Sequence, residues 1–563
     1  MYRIACGDDN IWLLNWLNAM HVMTGKDTTS NERLVTHPGD NEKNITELSE
    51  ALFANDAGDA CVLADLAGEA CSLEPAKPSE LLKDQQRTYN IINWHLQEFL
   101  SRKCPKTLQM IIPGEAGVGK SKTVQTITEN FYACGAGTIL AKGAYTELAA
   151  SVIDGKTLHY LAMIPLQGGQ QSAQTIKRLE GYWREKHYLI IDKISMVSHK
   201  MFAKLSSIVS RAKAGDTTTD EPFGGLNVIL VGNFHQFPLV ATKLSAALYW
   251  PCNPDKDTDK DMLGRKLYKQ FDIIVWLKTQ VQVTDPEWLD LLQHVRHGNC
   301  QENHIAMLQQ LVLTNQNCPP TDFTVTPWKD ALLVTPRHAV CIQWNRMSVK
   351  HWTHALRIYL INCPAFNTIQ GCQLTLEEKF AVATKARTGR GRNRREHGGL
   401  ADEVDITIGM EVMVTFNVST DLDIANSACG QVVEIVVDAS EEISTSNMQT
   451  KVLQYPQVYI LIQMLHTKAD TLNGLESGML PITPLTKTFS VVTASSKKIT
   501  VTHQQLPITP VYAFTDYCSQ AQTIKHCIVD LATPPRATDA FQHICCFIVK
   551  SWEKWHSPVV RFQ

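Results

Sequence analysis

The run Gly114-Glu115-Ala116-Gly117-Val118-Gly119-Lys120-Ser121 constrains the fold of this chain more than any other stretch. It fits the spacing G-x-x-x-x-G-K-[ST], which needs a buried strand before it and a helix after it. Both are legible: residues 108–112 are a nearly unbroken apolar run, and residues 120–131 read as a helix. The glycines let backbone N–H groups close around an anion, and the helix N-terminus adds partial positive charge. The spacing predicts a triphosphate cradle in which Lys120 reaches the β- and γ-phosphates and the Ser121 hydroxyl sits on Mg2+.

Further strands are expected at 138–141, 188–192, 226–232, 272–277 and 331–335, with helical patterns between them. After Ser195, for example, Met201, Leu205, Ile208, Val209 and Ala212 fall on one helical face. Strands alternating with helices predict an α/β fold, a parallel sheet covered on both faces. Past Arg357 the texture changes to shorter strands at 410–416, 432–437 and 458–464, and the α/β pattern returns at 505–531. That order predicts a second α/β domain carrying a small β-rich insertion. Residues 24–80 are polar and acidic, which suits either a loosely ordered leader or a small helical domain. A basic, glycine-rich stretch at 379–395 includes Lys385, Arg387, Arg390, Arg392, Arg394 and Arg395. It reads either as an arm on nucleic-acid phosphates or as a solvated loop.

With 44% hydrophobic and 19% charged residues, the chain can build a large core and is not a disordered polymer. The net charge of −3 announces no global nucleic-acid binding, so such a partner must be held by local patches. The 16 cysteines form no C-x-x-C pair, a reduced intracellular pattern without a metal framework. Asp8, Asp9 and Asn15 around a short apolar stretch fit neither a signal nor a transit peptide, and no run is long enough to span a membrane.

The second acid that such a nucleotide site needs is supplied by Leu189-Ile190-Ile191-Asp192, where Asp192 ends a buried strand. A third strand ends in Gly232-Asn233-Phe234-His235-Gln236, and Gln236 is placed to sense the γ-phosphate. These segments together resemble the Pif-type DNA helicases of superfamily one, more narrowly those associated with fungal Helitron transposons. The resemblance covers residues 82–532. Asp84-Gln85-Gln86-Arg87 is similar to the adenine-recognising segment, with Gln85 as the base contact. Residues 149–159 match A-A-x-x-I-x-G-x-T-x-H, which in the family lies by the DNA path. Residues 192–196 resemble D-E-I-S-M, and 224–238 resemble G-G-x-x-x-x-x-x-G-D-x-x-Q-x-P. Val334-Thr335-Pro336-Arg337, Trp344-Asn345, residues 408–417 and 426–432, and Ser519-Gln520-Ala521-Gln522-Thr523 fit the second motor domain.

The resemblance implies two RecA-like P-loop NTPase domains: the first at 81–245, the second at 246–360 and 505–563, with the insertion at 361–504 and a leader at 1–80. It implies ATP and Mg2+ as cofactors. Gln85, Gly114, Gly117, Gly119, Lys120 and Ser121 would bind nucleotide, Ser121 and Asp192 metal, and Lys120, Asp192 and Gln236 would be catalytic. Thr157, His159, Phe234, His235, Gln520 and Thr523 would contact single-stranded DNA or a forked duplex. The implied protein is a nuclear, monomeric ATP-dependent helicase moving 5′ to 3′, with no membrane partner and a genome-maintenance or transposon-borne role.

Departures from the pattern fall at catalytic positions. Lys193 replaces the family acid that activates water, Asn233 an aspartate, and Gln282 an arginine facing the transferring phosphate. Cys518 stands for a basic residue, and Ser427 and Ala521 for glycines. Residues 541–563 hold no V-A-L-S-R segment with its further arginine. A lost general base costs about 10²–10⁴-fold, and a lost arginine finger about 10³–10⁵-fold. The alternative expectation is therefore a catalytically impaired ATP- and DNA-binding protein. A small-molecule P-loop kinase has no use for segments 224–238 and 505–523.

Overall fold

The computed structural model describes most of residues 75–530 and two short strands, Arg3–Ile4 and Val560–Phe562. Residues 5–74, 165–170, 215–220, 318–327, 389–398, 442–449, 520–523 and 531–559, with a few single positions, lie outside the described residues. Most of the leader and of the atypical tail and residues 389–395 of the basic stretch fall there, while residues 379–388 of that stretch belong to the helix Leu376–Thr388.

The chain enters at α1 (Lys83–Leu100) and passes into β1 (Gln109–Pro113), α2 (Lys120–Ala133) and β2 (Leu140–Ala144). It continues through β3 (Lys156–Thr157), α3 (Ala173–Arg184), β4 (Tyr188–Asp192), α4 (His199–Ala214) and β5 (Asn227–Gly232). Then come α5 (Asp259–Tyr268) and the two-residue strand β6 (Ile273–Ile274). The six strands form one parallel sheet in the order β3-β2-β4-β5-β1-β6. Every residue of β2, β4 and β5 is buried, as expected where helices cover both faces of a parallel sheet. Alternate side chains feed two cores. Met110, Ile112, Ile190 and Val231 pack on one face with α1 and α2; Ile111, Leu189, Ile191 and Leu230 pack on the other with α3 and α4.

A second parallel sheet joins Ala513–Thr515, Leu332–Thr335, Cys527–Val529 and Val560–Phe562. Helix α6 (Pro286–His297) packs against it through Trp288, Leu291, Leu292 and Val295, which meet Val334, Cys527 and Val529. Both sheets show the RecA-like α/β arrangement. Between the second sheet's strands Leu332–Thr335 and Ala513–Thr515 the chain builds a largely antiparallel module. Its largest sheet contains Glu411–Val414, Cys429–Val437, Tyr459–Met464, Met479–Ile482 and Ile508–Pro510, and Arg3–Ile4 adds to it in parallel.

Two expected boundaries need correction. The first domain does not end at residue 245: α5 packs on the α4 core through Leu267, and β6 pairs with β1. Leu277 then bridges to Gly114, so the first sheet keeps the chain to that point. The insertion does not end at 504 either, because Ile508–Pro510 still pairs with Glu411–Val414. A two-residue strand and a helix without its own sheet carry too little periodicity to reveal which core they join.

Candidate nucleotide site

The cradle lies between β1 and α2. Gly114 is hemmed in: a Cβ there would lie 2.8 Å from Val118 Cγ2 and 3.0 Å from the Leu277 carbonyl oxygen. Gly117 and Gly119 hold φ of +82° and +78°, the left-handed region that glycine enters without penalty. A Cβ on Gly117 would lie 2.2 Å from Gln280 Oε1. That closeness reflects a clasp laid across the loop. Val281 N–H donates to the Gly117 carbonyl at 3.0 Å, Gln282 N–H to the same oxygen at 3.3 Å, and Gln280 Nε2 to the Ala116 carbonyl at 2.9 Å. The clasp runs from the first sheet into α6, whose start is capped by Asp285 accepting from Trp288 N–H at 3.0 Å.

Gln85 braces the loop from the opposite side. Its Nε2 donates to the Val118 carbonyl at 2.9 Å, and its Oε1 accepts from Leu82 N–H at 3.0 Å. The side chain is buried, so both amide groups are committed to fixing the turn. Lys120 Nζ donates to the Gly114 carbonyl at 2.9 Å and to that of Glu115. Burial, then the nearby charges of Lys193 and Arg296, push its ammonium down to about 7 against the opposing pull of Asp192 and Glu115. Ser121 lies in the first turn of α2.

Asp192 ends β4, and its buried carboxylate accepts the N–H of Lys193 at 2.7 Å. Lys193 itself takes a left-handed backbone, φ 57° and ψ 47°. Its Nζ donates to Gln236 Oε1 at 3.4 Å. Asn233 Oδ1 accepts from His235 N–H at 3.0 Å, and the Asn233 carbonyl accepts from Gln236 N–H at 3.1 Å. The turn after β5 is therefore held by the amide where the family resemblance expects an aspartate.

The structure thus brings Gln85, Gly114, Gly117, Gly119, Lys120, Asp192, Lys193, Gln236 and Gln282 to one locus. The expected DNA contacts among the described residues have local partners of their own. Thr157 Oγ1 caps a short helix by accepting from Tyr160 N–H at 3.3 Å. The His159 ring stands edge-on to Tyr145 at 5.6 Å, and burial, with Lys204 nearby, lowers its pKa. Phe234 packs against Tyr249 and Tyr268, while His235 is exposed and faces His297 at 5.6 Å. Gln520 and Thr523 lie outside the described residues.

Three residues at the locus escape a reading of the sequence alone: Gln280, Glu115 and Arg296. Glu115 fills a variable position of the loop motif, and Arg296 sits on the last turn of α6, far from it in sequence; only the clasp brings them together. Glu115 and Arg296 form an ion pair in which the arginine side chain is 7% exposed.

Among the described residues one group has metal-like spacing: Asp290, His294 and His304. Its hydrogen bonds account for it without a metal. His304 Nδ1 accepts from Gln301 N–H at 3.1 Å, which leaves the proton on Nε2, 2.8 Å from the Asp290 carboxylate.

A family model described as PIF1-like helicase matches residues 81–304. The chain is 30% identical over 229 residues to the ATP-dependent DNA helicase RRM3 of Saccharomyces cerevisiae, covering 40% of this chain and 28% of that protein. It is 32% identical over 205 residues to the ATP-dependent DNA helicase PIF1 of Xenopus laevis, covering 35% and 29%. The matches therefore span less than a third of these relatives' length. Among solved structures, the Pif1 helicase from Candida albicans aligns with 19% identity and a TM-score of 0.55, covering 86% of this chain and 94% of that one. A Bacteroides Pif1 bound to single-stranded DNA aligns with 16% identity and a TM-score of 0.52, covering 86% and 92%. The loop, the buried acid and the two RecA-like sheets are in keeping with these likenesses, and residues 81–304 are the part of the chain that resembles the PIF1-like helicases.

Proposed function

We propose that this chain is an ATP-dependent DNA helicase with weakened turnover, working 5′ to 3′ along single-stranded DNA or at a forked duplex. The observation that carries the reading is the braced loop. Gln85 on one side and residues 280–282 on the other hold Gly114–Lys120 in the form that closes on phosphates, and the clasp leads into α6, which packs on the second sheet. Nucleotide binding and the angle between the two lobes are thereby coupled through a short covalent tether. ATP with Mg2+ fits the donor set. Backbone N–H groups and Lys120 would take the phosphates; Ser121 and Asp192 would hold the metal, which neutralises charge between the β- and γ-phosphate oxygens.

A specific observation supports impaired catalysis within the same fold. Lys193 presents an ammonium where a water-activating carboxylate is needed, and an ammonium accepts no proton from water. Gln282, held by its backbone to Gly117, brings a neutral amide where an arginine would meet the transferring phosphate. The expected product is an ATP- and DNA-binding motor with slow chemistry, monomeric and nuclear.

The test is ATP hydrolysis by the whole chain, single- and multiple-turnover, with and without single-stranded DNA. Stimulation by DNA supports the motor. Tight ATP binding without DNA-stimulated turnover supports the impaired form. Binding of neither ATP nor DNA overturns the reading.

A further inference from the structure

The strongest cationic group left without a role is Arg296. Its helix, α6, packs on the second sheet through Trp288, Leu291, Leu292 and Val295. Yet its guanidinium reaches the first domain and pairs with Glu115 inside the phosphate loop. The side chain is 93% buried at this junction, and its Nε has no hydrogen-bond partner among the described residues. A buried guanidinium N–H without an acceptor is costly unless another acceptor shares the site. The charge is also felt by Lys120 and by His235, both of whose pKa values it depresses. Three cations, Lys120, Lys193 and Arg296, thus surround a loop whose nearby carboxylates are Asp192 and Glu115. That balance suits a polyanion.

We propose that Arg296 is a triphosphate-reading arginine delivered across the interdomain cleft, contacting the terminal phosphate and standing in for the cation missing at Gln282. The inference rests on the nucleotide reading of the loop. Glu115 is its positioning partner. The carboxylate holds the guanidinium beside the loop through one nitrogen, and a terminal phosphate can take the planar fork bidentately with more negative charge. A diphosphate ends short of this arginine, so Arg296 distinguishes ATP from ADP. Because its helix belongs to the second sheet, the same contact draws the two lobes together.

The experiment measures affinities of the full chain for ADP and for a non-hydrolysable β,γ-imido ATP analogue, each with Mg2+, by displacement of a fluorescent nucleotide. Arg296→Gln is expected to weaken the triphosphate analogue by about 10–100-fold, the range of a charge-assisted bidentate contact. ADP should stay within about 2-fold. Arg296→Lys keeps the charge and loses the fork, so it should fall between. Glu115→Gln frees the guanidinium and should strengthen the analogue relative to ADP. Thermal melting accompanies each variant; if Arg296→Gln does not fold, Arg296→Lys and Glu115→Gln decide. Equal weakening of both nucleotides, or none of either, means that Arg296 only staples the domains and overturns the inference. A wild-type chain that binds neither nucleotide overturns the loop reading, and this inference with it.

Discussion

Lys193 and Gln236 are joined across the ends of two buried strands, Nζ to Oε1 at 3.4 Å. The contact ties up the glutamine expected to sense the γ-phosphate. It also places a fixed positive charge close enough to depress the Lys120 ammonium. The strand ends bring a lysine and a glutamine together where chemistry on a phosphate calls for a carboxylate and a free amide.

Lys193→Glu should therefore raise hydrolysis. The new carboxylate can accept from the Gln236 amide after the amide turns over, and it can take a proton from water. Restoring a general base is expected to increase DNA-stimulated turnover by at least about 10-fold, with a further gain when Gln282→Arg is added. Steady-state phosphate release measures this. A double variant no faster than the parent would show that the defect lies elsewhere.

Lys120 makes nucleotide affinity depend on pH. With its ammonium pushed down to about 7 by burial and neighbouring cations, the site is half protonated near neutrality. A bound polyphosphate favours the charged form, so binding takes up a proton above that point. Affinity for ATP should fall about 10-fold per pH unit once pH is well above 7. The linkage to folding has the opposite slope. The folded-state value lies below the unfolded one of 10.5, so the cost of burying the charge is fully present below pH 7 and is relieved between there and 10.5. Lys120→Met should thus be more stable than the parent at pH 6.5, by an amount on the order of a few kcal/mol. The advantage should shrink as pH rises, while ATP binding is lost throughout. Calorimetry in buffers of different ionisation enthalpy reads the proton, and thermal melts against pH read the stability.

Long, buried strands were legible from their apolar runs. Residues 188–192 form β4 as expected, and the loop motif lies between β1 and α2 where its spacing requires. Short elements were not. Expected strand 272–277 shrinks to Ile273–Ile274 plus a single bridge at Leu277, because this edge of the sheet is paired on one side only. Residues 138–141 move to 140–144, since the preceding turn Gly137–Ile139 coils before the strand begins. At the site, residues named by a local motif were found; Glu115, Gln280 and Arg296 were not, because their roles arise from a clasp and an ion pair between segments distant in sequence. Thr157 and Phe234, which the resemblance names as DNA-contact candidates, also have local roles that their motifs do not announce: one caps a helix and the other packs in an aromatic cluster.

Ser427 stands at a position where the family resemblance expects glycine, and its φ is +77°. A serine held in the left-handed region costs about 1 kcal/mol or more. Ser427→Gly should stabilise the inserted module by up to about 1 kcal/mol, the relief being partly offset by the greater freedom of glycine in the unfolded chain. Ser427→Ala keeps the strained backbone and should not stabilise. Paired denaturant melts of the two variants test the assignment; equal shifts would mean that the hydroxyl, not the backbone, sets the cost.

Asp154 links the first domain to the inserted module. Its carboxylate meets Lys142 of β2 at 3.5 Å and Lys468 of the module at 2.7 Å. Burial alone would raise its pKa, but the two lysines outweigh this and hold it below the usual carboxylate range. Lys142 is 7% exposed and Lys468 is 41% exposed, so the two contacts differ in weight. The exposed pair is worth at most about 1 kcal/mol. Removing the acid leaves the Lys142 charge buried without its partner, which costs more. Asp154→Asn should destabilise by about 1–3 kcal/mol, and Lys468→Ala by under about 1 kcal/mol. Adding Lys142→Met to Asp154→Asn should recover most of the loss, since no buried charge then remains. The depressed carboxyl also gives a sign for pH: its contribution is present above the ordinary carboxylate pKa and disappears as pH falls through the lowered value. A double-mutant cycle from thermal melts at pH 7 and pH 3 measures both. Additive losses from Asp154→Asn and Lys142→Met would show that the acid steadies the turn after Ile153 and does not neutralise the lysine beneath it.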